Sequence, residues 1–172
     1  MRLFKPITVE LTHDTYIVRE QKNIDKLKSK GYGFEISKGT YALMPYEVVY
    51  LLELNKIEVF ENNEPLTYEN LLKRDEINFD EYLVFKDLTK KGYQVRTGLK
   101  FGFTFRLYKR SRKYKKEHAP WLVYVTREND VFSVKSLASL GRIAHSTKKR
   151  VILAMVDSEK SITYYEYEWA KI

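Results

Sequence analysis

The sequence predicts a mixed α/β or α+β fold of two small domains, residues 1–78 and 79–172, and three observations carry that prediction. Short runs that alternate apolar and polar residues recur among longer runs with helical spacing, so strands and helices share one chain. The pattern resets around Asp75 to Asp80, and charge changes sign near the same point. Residues 1–80 hold 11 Lys and Arg against 14 Asp and Glu, whereas residues 81–172 hold 20 against 9. At 172 residues, with 44% hydrophobic and 15% aromatic content, the chain can build packed cores, which excludes global disorder.

Taken in order, residues 7–12 (ITVELT) alternate as a strand, and residues 16–20 (YIVRE) can pair with it. Residues 22–34 (KNIDKLKSKGYGF) are basic and turn-prone, an exposed loop or a short helix ended by glycine. Pro45 stands where a helix can begin, and residues 45–56 carry Val48, Val49, Leu51 and Leu52 on a broad apolar face. IEVF (57–60) reads as a short strand, ENNEP (61–65) as a turn, and Thr67 can cap a helix to about Lys73. Asp75 and Glu76 read as solvated linker. Asp80 can cap a helix over residues 81–91, with Tyr82, Phe85 and Leu88 three apart and Gly92 as its stop. Strands follow at 93–97, 99–109 and 121–126, then a helix at 133–149 and strands at 150–157 and 161–170, so a central mixed sheet flanked by helices is expected.

Composition removes several function classes. There is no cysteine, so disulfides and thiolate metal sites are excluded. His13, His118 and His145 are scattered without metal-ligand spacing, and no metal or cofactor is expected. No apolar run is long enough for a membrane span, and the acidic N-terminal segment lacks the apolar stretch of a signal peptide; a cytoplasmic protein is expected. Walker, GxGxxG, GxSxG and HExxH patterns are absent. The cationic second half suits a polyanion such as a phosphate backbone, or equally a charged surface that confers solubility.

Three segments of that half could carry chemistry. In the strand at 99–109, Phe101, Phe103, Phe105 and Leu107 alternate onto one face, which leaves Gly102, Thr104, Arg106 and Tyr108 on the other. Tyr108 adjoins the basic run at 109–116, and cations beside an aromatic hydroxyl favour its ionised form; pattern alone equally allows a structural tyrosine. His118 follows Glu117 just before the strand at Trp121, and an imidazole titrating near neutrality can act as a general acid or simply occupy a surface loop. Arg142, His145 and Lys149 fall on one helical stripe if the helix extends that far, fit for a phosphate or for an ordinary solvated face. Clustered carboxylates for two-metal chemistry are few in the basic half, which points to phosphodiester chemistry without metal.

The segments 85–108 (FKDLTKKGYQVRTGLKFGFTFRLY), 117–125 (EHAPWLVYV), 141–157 (GRIAHSTKKRVILAMVD) and 162–169 (ITYYEYEW) closely resemble the C-terminal half of archaeal tRNA-splicing endonucleases, in order and with near-family spacing. Residues 45–59 and 65–72 resemble the family more loosely. The resemblance implies a nuclease-like catalytic domain at 79–172, with catalytic Tyr108 in FRLY, His118 in EHAP and Lys149 in AHSTKK. It implies that Arg142 grips an extruded base, that Arg106 and Lys148 add to RNA binding, and that Trp169 contacts RNA or a subunit interface. The implied reaction is metal-independent cleavage of precursor tRNA at bulge-helix-bulge intron borders, leaving 2′,3′-cyclic phosphate and 5′-hydroxyl ends. Thr104 stands where family members commonly have aspartate. The family's acidic docking loop falls at Asp157–Ser161, where Lys160 dilutes the charge. That, together with EHAP and HSTKK segments that resemble those of the heteromeric type, implies a heterotetramer of two catalytic and two structural subunits rather than a homotetramer or homodimer.

Overall fold

A computed structural model of the chain describes residues 5–98, 102–109, 118–168 and 170. The chain divides into two compact units, Met1–Phe79 and Asp80–Ile172, and both mix strands with helices, so the fold is α+β.

The first unit is built on β1 (Ile7–Thr12), β2 (Thr15–Val18), β3 (Phe34–Ser37), β4 (Thr40–Leu43), β5 (Ile57–Glu61) and β6 (Glu64–Leu66). They form one sheet in the order β3-β4-β2-β1-β5-β6, with β1 parallel to β5 and the other neighbours antiparallel. Two hairpins close with residues in the left-handed region, His13 and Asp14 (φ 46° and 59°) and Asn62 and Asn63 (φ 52° and 68°). Such primed turns match the right-handed twist of the strands, and Asn and Asp tolerate that region best. Ile7, Val9 and Leu11 turn inward while Thr8 and Glu10 face solvent, the alternation read from the sequence.

Around the sheet stand α1 (Gln21–Lys30), α2 (Pro45–Glu53) and the short α3 (Tyr68–Leu72), capped by the Thr67 hydroxyl, which accepts from Asn70 N. The basic segment at 22–34 is therefore a ten-residue helix followed by a strand. Ile24 and Leu27 anchor α1 in the core, and Gly31 (φ 81°) ends it. Neither β3 nor β4 alternates: FEIS is exposed at every position, and in TYAL the three consecutive residues Tyr41, Ala42 and Leu43 are all buried. Glu47 is 1% exposed and accepts from the backbone N–H groups of Gly33 and Met44, so one carboxylate fastens the start of α2 to the chain entering β3. Glu76 is likewise no solvated linker: it accepts from the Tyr16 hydroxyl at 2.8 Å and from Arg74 Nε at 3.0 Å.

The second unit holds β7 (Tyr93–Thr97), β8 (Phe105–Lys109), β9 (Trp121–Arg127), β10 (Arg150–Val156) and β11 (Ile162–Tyr167), in the order β11-β10-β9-β8-β7. Only β9 and β10 run parallel among these neighbours, and α5 (Val134–Thr147) makes the crossover that a parallel pair needs. Each face carries one helix. Leu140, Ala144 and Ile143 of α5 pack with Leu122, Val151 and Phe103 on one face. On the other, Phe85 of α4 (Phe79–Lys90) meets Phe105 at 6.1 Å between rings, and Tyr164 donates to Asp87.

This sandwich corrects two expectations. Phe103 does not share a face with Phe105 and Leu107: it packs under α5, whereas Phe105 packs under α4. The reason is that β8 starts only at Phe105, behind a turn with Gly102 at φ 71°, so strict alternation does not run back through residue 103. At Gly98 an added Cβ would sit 2.6 Å from the Phe103 carbonyl, so that close return of β8 onto β7 requires glycine. The second correction concerns Asp80. It does not cap α4 from outside; it lies in the first turn, its side chain 5% exposed, and accepts from Arg127 Nε at 2.6 Å and Lys160 Nζ at 2.8 Å. Residues 99–101, the start of the expected strand at 99–109 with Phe101 among them, lie outside the described residues.

Candidate active site

Three chain segments meet at one end of the second unit's sheet, and register alone brings them there. The last recorded β8–β9 pair sets Leu107 against Trp121, so Tyr108 falls beside Pro120 one step further on. Strand β10 starts level with β9, Arg150 opposite Trp121, and so Lys149 falls level with Pro120 from the other side. The last residues of β8, with Tyr108 among them, the segment His118–Pro120 and the turn at Lys148–Lys149 therefore share one end of the sheet.

Hydrogen bonds tie two of the segments directly. Lys149 Nζ donates to the carbonyl of Ala119 at 2.6 Å, and Arg150 N donates to the Pro120 carbonyl at 2.9 Å. The residue next to His118 is thus held by the Lys149 ammonium, while His118 itself is exposed. Lys149 is half-buried, and that burial lowers its pKa from the ordinary lysine value, with the positive charge of Arg106 adding in the same direction. A cation short of water and repelled by a neighbouring guanidinium is well suited to an incoming anion. Arg106 itself donates from Nε to the Thr97 carbonyl at 2.8 Å, which aims the guanidinium from β8 along the face that Tyr108 shares.

The stripe of Arg142, His145 and Lys149 does not form. Helix α5 ends at Thr147, and Lys148 enters the left-handed region at φ 53°, ψ 44°. That reversal turns Lys149 away from the helix surface and toward Ala119, while Lys148 stays exposed. Arg142 is exposed on α5, donates to Ala138 of its own helix, and is not gathered with Tyr108, His118 and Lys149 by any described contact. Trp169, Glu117 and residues 110–116 of the basic run lie outside the described residues.

Two polar side chains that sequence reading passed over belong to the same face. Gln94 and Arg96 of β7, 7% and 9% exposed, stand opposite Tyr108 and Arg106 in register. Their signal was present in YQVRT, where Gln and Arg flank Val95, but only the β7–β8 register shows which face they share. Among the described residues, no group of three or more His, Cys, Asp or Glu is placed to hold a metal ion, and no helix is long and apolar enough to cross a membrane.

The chain is thus an α+β protein of two units, with Lys149 and Arg106 near one end of the second unit's sheet, and comparison with known families gives its class. The family model for "tRNA intron endonuclease, catalytic C-terminal domain" matches residues 79–164, and that for "tRNA intron endonuclease, N-terminal domain" matches residues 7–72. The chain belongs to the tRNA intron endonuclease family. It is similar to the tRNA-splicing endonuclease of Thermococcus kodakarensis, 38% identical over 94% of this chain and 96% of that one. It is also similar to those of Pyrococcus horikoshii, 36% identical over 97% of this chain and 98% of the relative, and Methanococcus maripaludis, 34% over 98% and 97%.

Proposed function

We propose that this chain is the cutting subunit of a cytoplasmic tRNA-splicing endonuclease, which severs precursor tRNA at bulge-helix-bulge intron borders without a metal or other cofactor. The observation that carries the reading is the grip of the Lys149 ammonium on the Ala119 carbonyl, beside His118, at the end of the sheet where Tyr108 is the last residue but one of β8. In this reading Tyr108, acting as general base, takes the proton of the 2′-hydroxyl next to the scissile phosphate. The 2′-oxygen attacks phosphorus in line, the bond from phosphorus to the 5′-oxygen breaks, and His118 gives its proton to that departing oxygen. Lys149 faces the charge that builds on the non-bridging oxygens, and donation from such a group is worth more in the transition state than in the bound substrate. The products are a 2′,3′-cyclic phosphate and a 5′-hydroxyl.

A 2′-hydroxyl nucleophile selects RNA over DNA with no base read. Arg106, beside Lys149, supplies a further phosphate contact; Arg142, Lys148 and Trp169 are assigned to the extruded bases and flanking backbone. Incubation of the protein with intron-containing precursor tRNA in excess EDTA tests the reading, with the ends of the fragments identified chemically. Cyclic-phosphate ends at the intron borders are expected, and His118→Ala should bind the precursor as the parent does while cutting it at least about 100-fold more slowly. A His118→Ala protein that cuts at the parent's rate sinks the assignment.

The assembly belongs to the same proposal. A separate structural subunit was implied by Lys160 offsetting the acidic loop, yet Lys160 spends its charge on Asp80. Asp157 caps its own loop by accepting from Ser161 N, which leaves Glu159 as the exposed acid. The loop's charge therefore no longer argues for the heteromer, which rests on the wording of the EHAP and HSTKK segments.

A further inference from the structure

The first unit carries more acid than base, yet one of its surfaces concentrates lysine. Lys22, Lys26 and Lys30 recur every four residues along α1, on one stripe of the helix. With a rise of about 1.5 Å per residue their roots span roughly 12 Å, the axial length of three to four phosphates of one strand. Lys56, in the turn between α2 and β5, joins them: it acts on Lys26 together with Lys30 and Lys22, and the three like charges add to burial in lowering the proton affinity of Lys26. Lys22, Lys30 and Lys56 are exposed. Lys28, the remaining lysine of the helix, lies 3.9 Å from Glu35 and over the ring of Tyr41.

Gathering like charges costs stability, and the cost is recovered when a polyanion arrives. The composition of the patch says which kind. Protein interfaces are enriched in aromatic residues and arginine and depleted in lysine, whereas a row of flexible ammonium groups neutralises a phosphate backbone without reading sequence. We propose that Lys22, Lys26, Lys30 and Lys56 form a second, sequence-independent RNA-contact surface, which holds the phosphate backbone of the precursor through the N-terminal unit. The choice of RNA as the polyanion rests on the proposed function; the surface itself does not.

The test replaces all four lysines with glutamine, which keeps helix propensity, and compares that protein with one carrying arginine at the same positions. The probe is intron-containing precursor tRNA, with binding measured from about 50 to 300 mM salt. The glutamine variant should bind roughly 10-fold or more weakly at the low end, and its plot of log affinity against log salt should be shallower by about 3. The arginine variant should stay within about threefold of the parent. Cutting at saturating RNA should be unchanged, and KM should rise with the dissociation constant. Removing mutual repulsion should leave Tm equal or higher; if the quadruple variant nonetheless unfolds, Lys22→Gln and Lys30→Gln singly should each flatten the salt slope by about 1. Unchanged affinity and slope, or equal losses with glutamine and arginine, overturn the proposal and assign the patch to some other partner such as an acidic protein. His118→Ala separates the two readings: if it cuts normally the proposed reaction fails and the lysine surface stands, and if it is dead while the glutamine variant binds as the parent does, the reverse holds.

Discussion

Lys149 shows how a single side chain can be costly to the fold and useful to a reaction. Its ammonium is partly withdrawn from water and repelled by Arg106, yet it satisfies the carbonyl of Ala119, itself 3% exposed. Lys149→Met relieves the first cost and forfeits the hydrogen bond, and the two oppose each other. The net change in stability should lie within about 1 kcal/mol. If the proposed charge stabilisation is right, the same change should lower the maximal cutting rate by roughly 100- to 1,000-fold, the usual loss on removing one oxyanion donor. Thermal melts and single-turnover cleavage of the same preparation separate the two effects. A drop of many degrees in Tm would recast Lys149 as a structural pin.

At the scale of elements, Asp80 decides how α4, β9 and the β10–β11 turn are joined within the second unit. Both carboxylate oxygens are engaged, one by Arg127 from the end of β9 and one by Lys160 from the turn. Those bonds, the Lys160 bond first, hold the Asp80 carboxyl below its ordinary pKa against the opposing effect of burial. A carboxyl of depressed pKa binds fewer protons folded than unfolded. Its stabilisation is complete above the ordinary aspartate value of about 3.9 and drains away as pH falls through the depressed value. Asp80→Asn should therefore cost about 2–3 kcal/mol at pH 7, less than for a fully buried pair because both cations remain at least half exposed. The gap in Tm between parent and variant should close as pH falls from about 5 to 2. Parallel curves across that range would mean that Asp80 acts by packing alone.

For the whole molecule, the division into two units matches two family domains, and the open matter of scale is how many copies cut. Mass measurement of the protein alone, followed by cleavage assay of each species, decides it. If a structural subunit is required, the lone chain should be inactive on precursor tRNA and should gain activity with that subunit. A stable tetramer of this chain that cuts by itself would refute the heteromeric assembly. The lysine surface on the first unit predicts that, in either assembly, salt weakens precursor binding more steeply than the second unit's cations alone would require.

Local physics was legible in the residues without coordinates. Alternation marked β1 because a strand with one buried face must repeat every two residues, and Tyr82, Phe85 and Leu88 marked α4 because a helix buries one stripe. The positions of Tyr108, His118 and Lys149 could be named from motifs alone. Partnership between distant residues was not legible. Strand β3 shows no apolar face, Phe103 crosses to the α5 side because a turn at Gly102 interrupts the strand, and Asp80 is bound by residues 47 and 80 positions away. Lys149 leaves its helical stripe because Lys148 takes a left-handed conformation that no propensity demands and that the return to β10 imposes. Periodicity reports the environment of each side chain one at a time, whereas register, reversal and ion pairing depend on which other segment arrives, and that is settled only when the sheet closes.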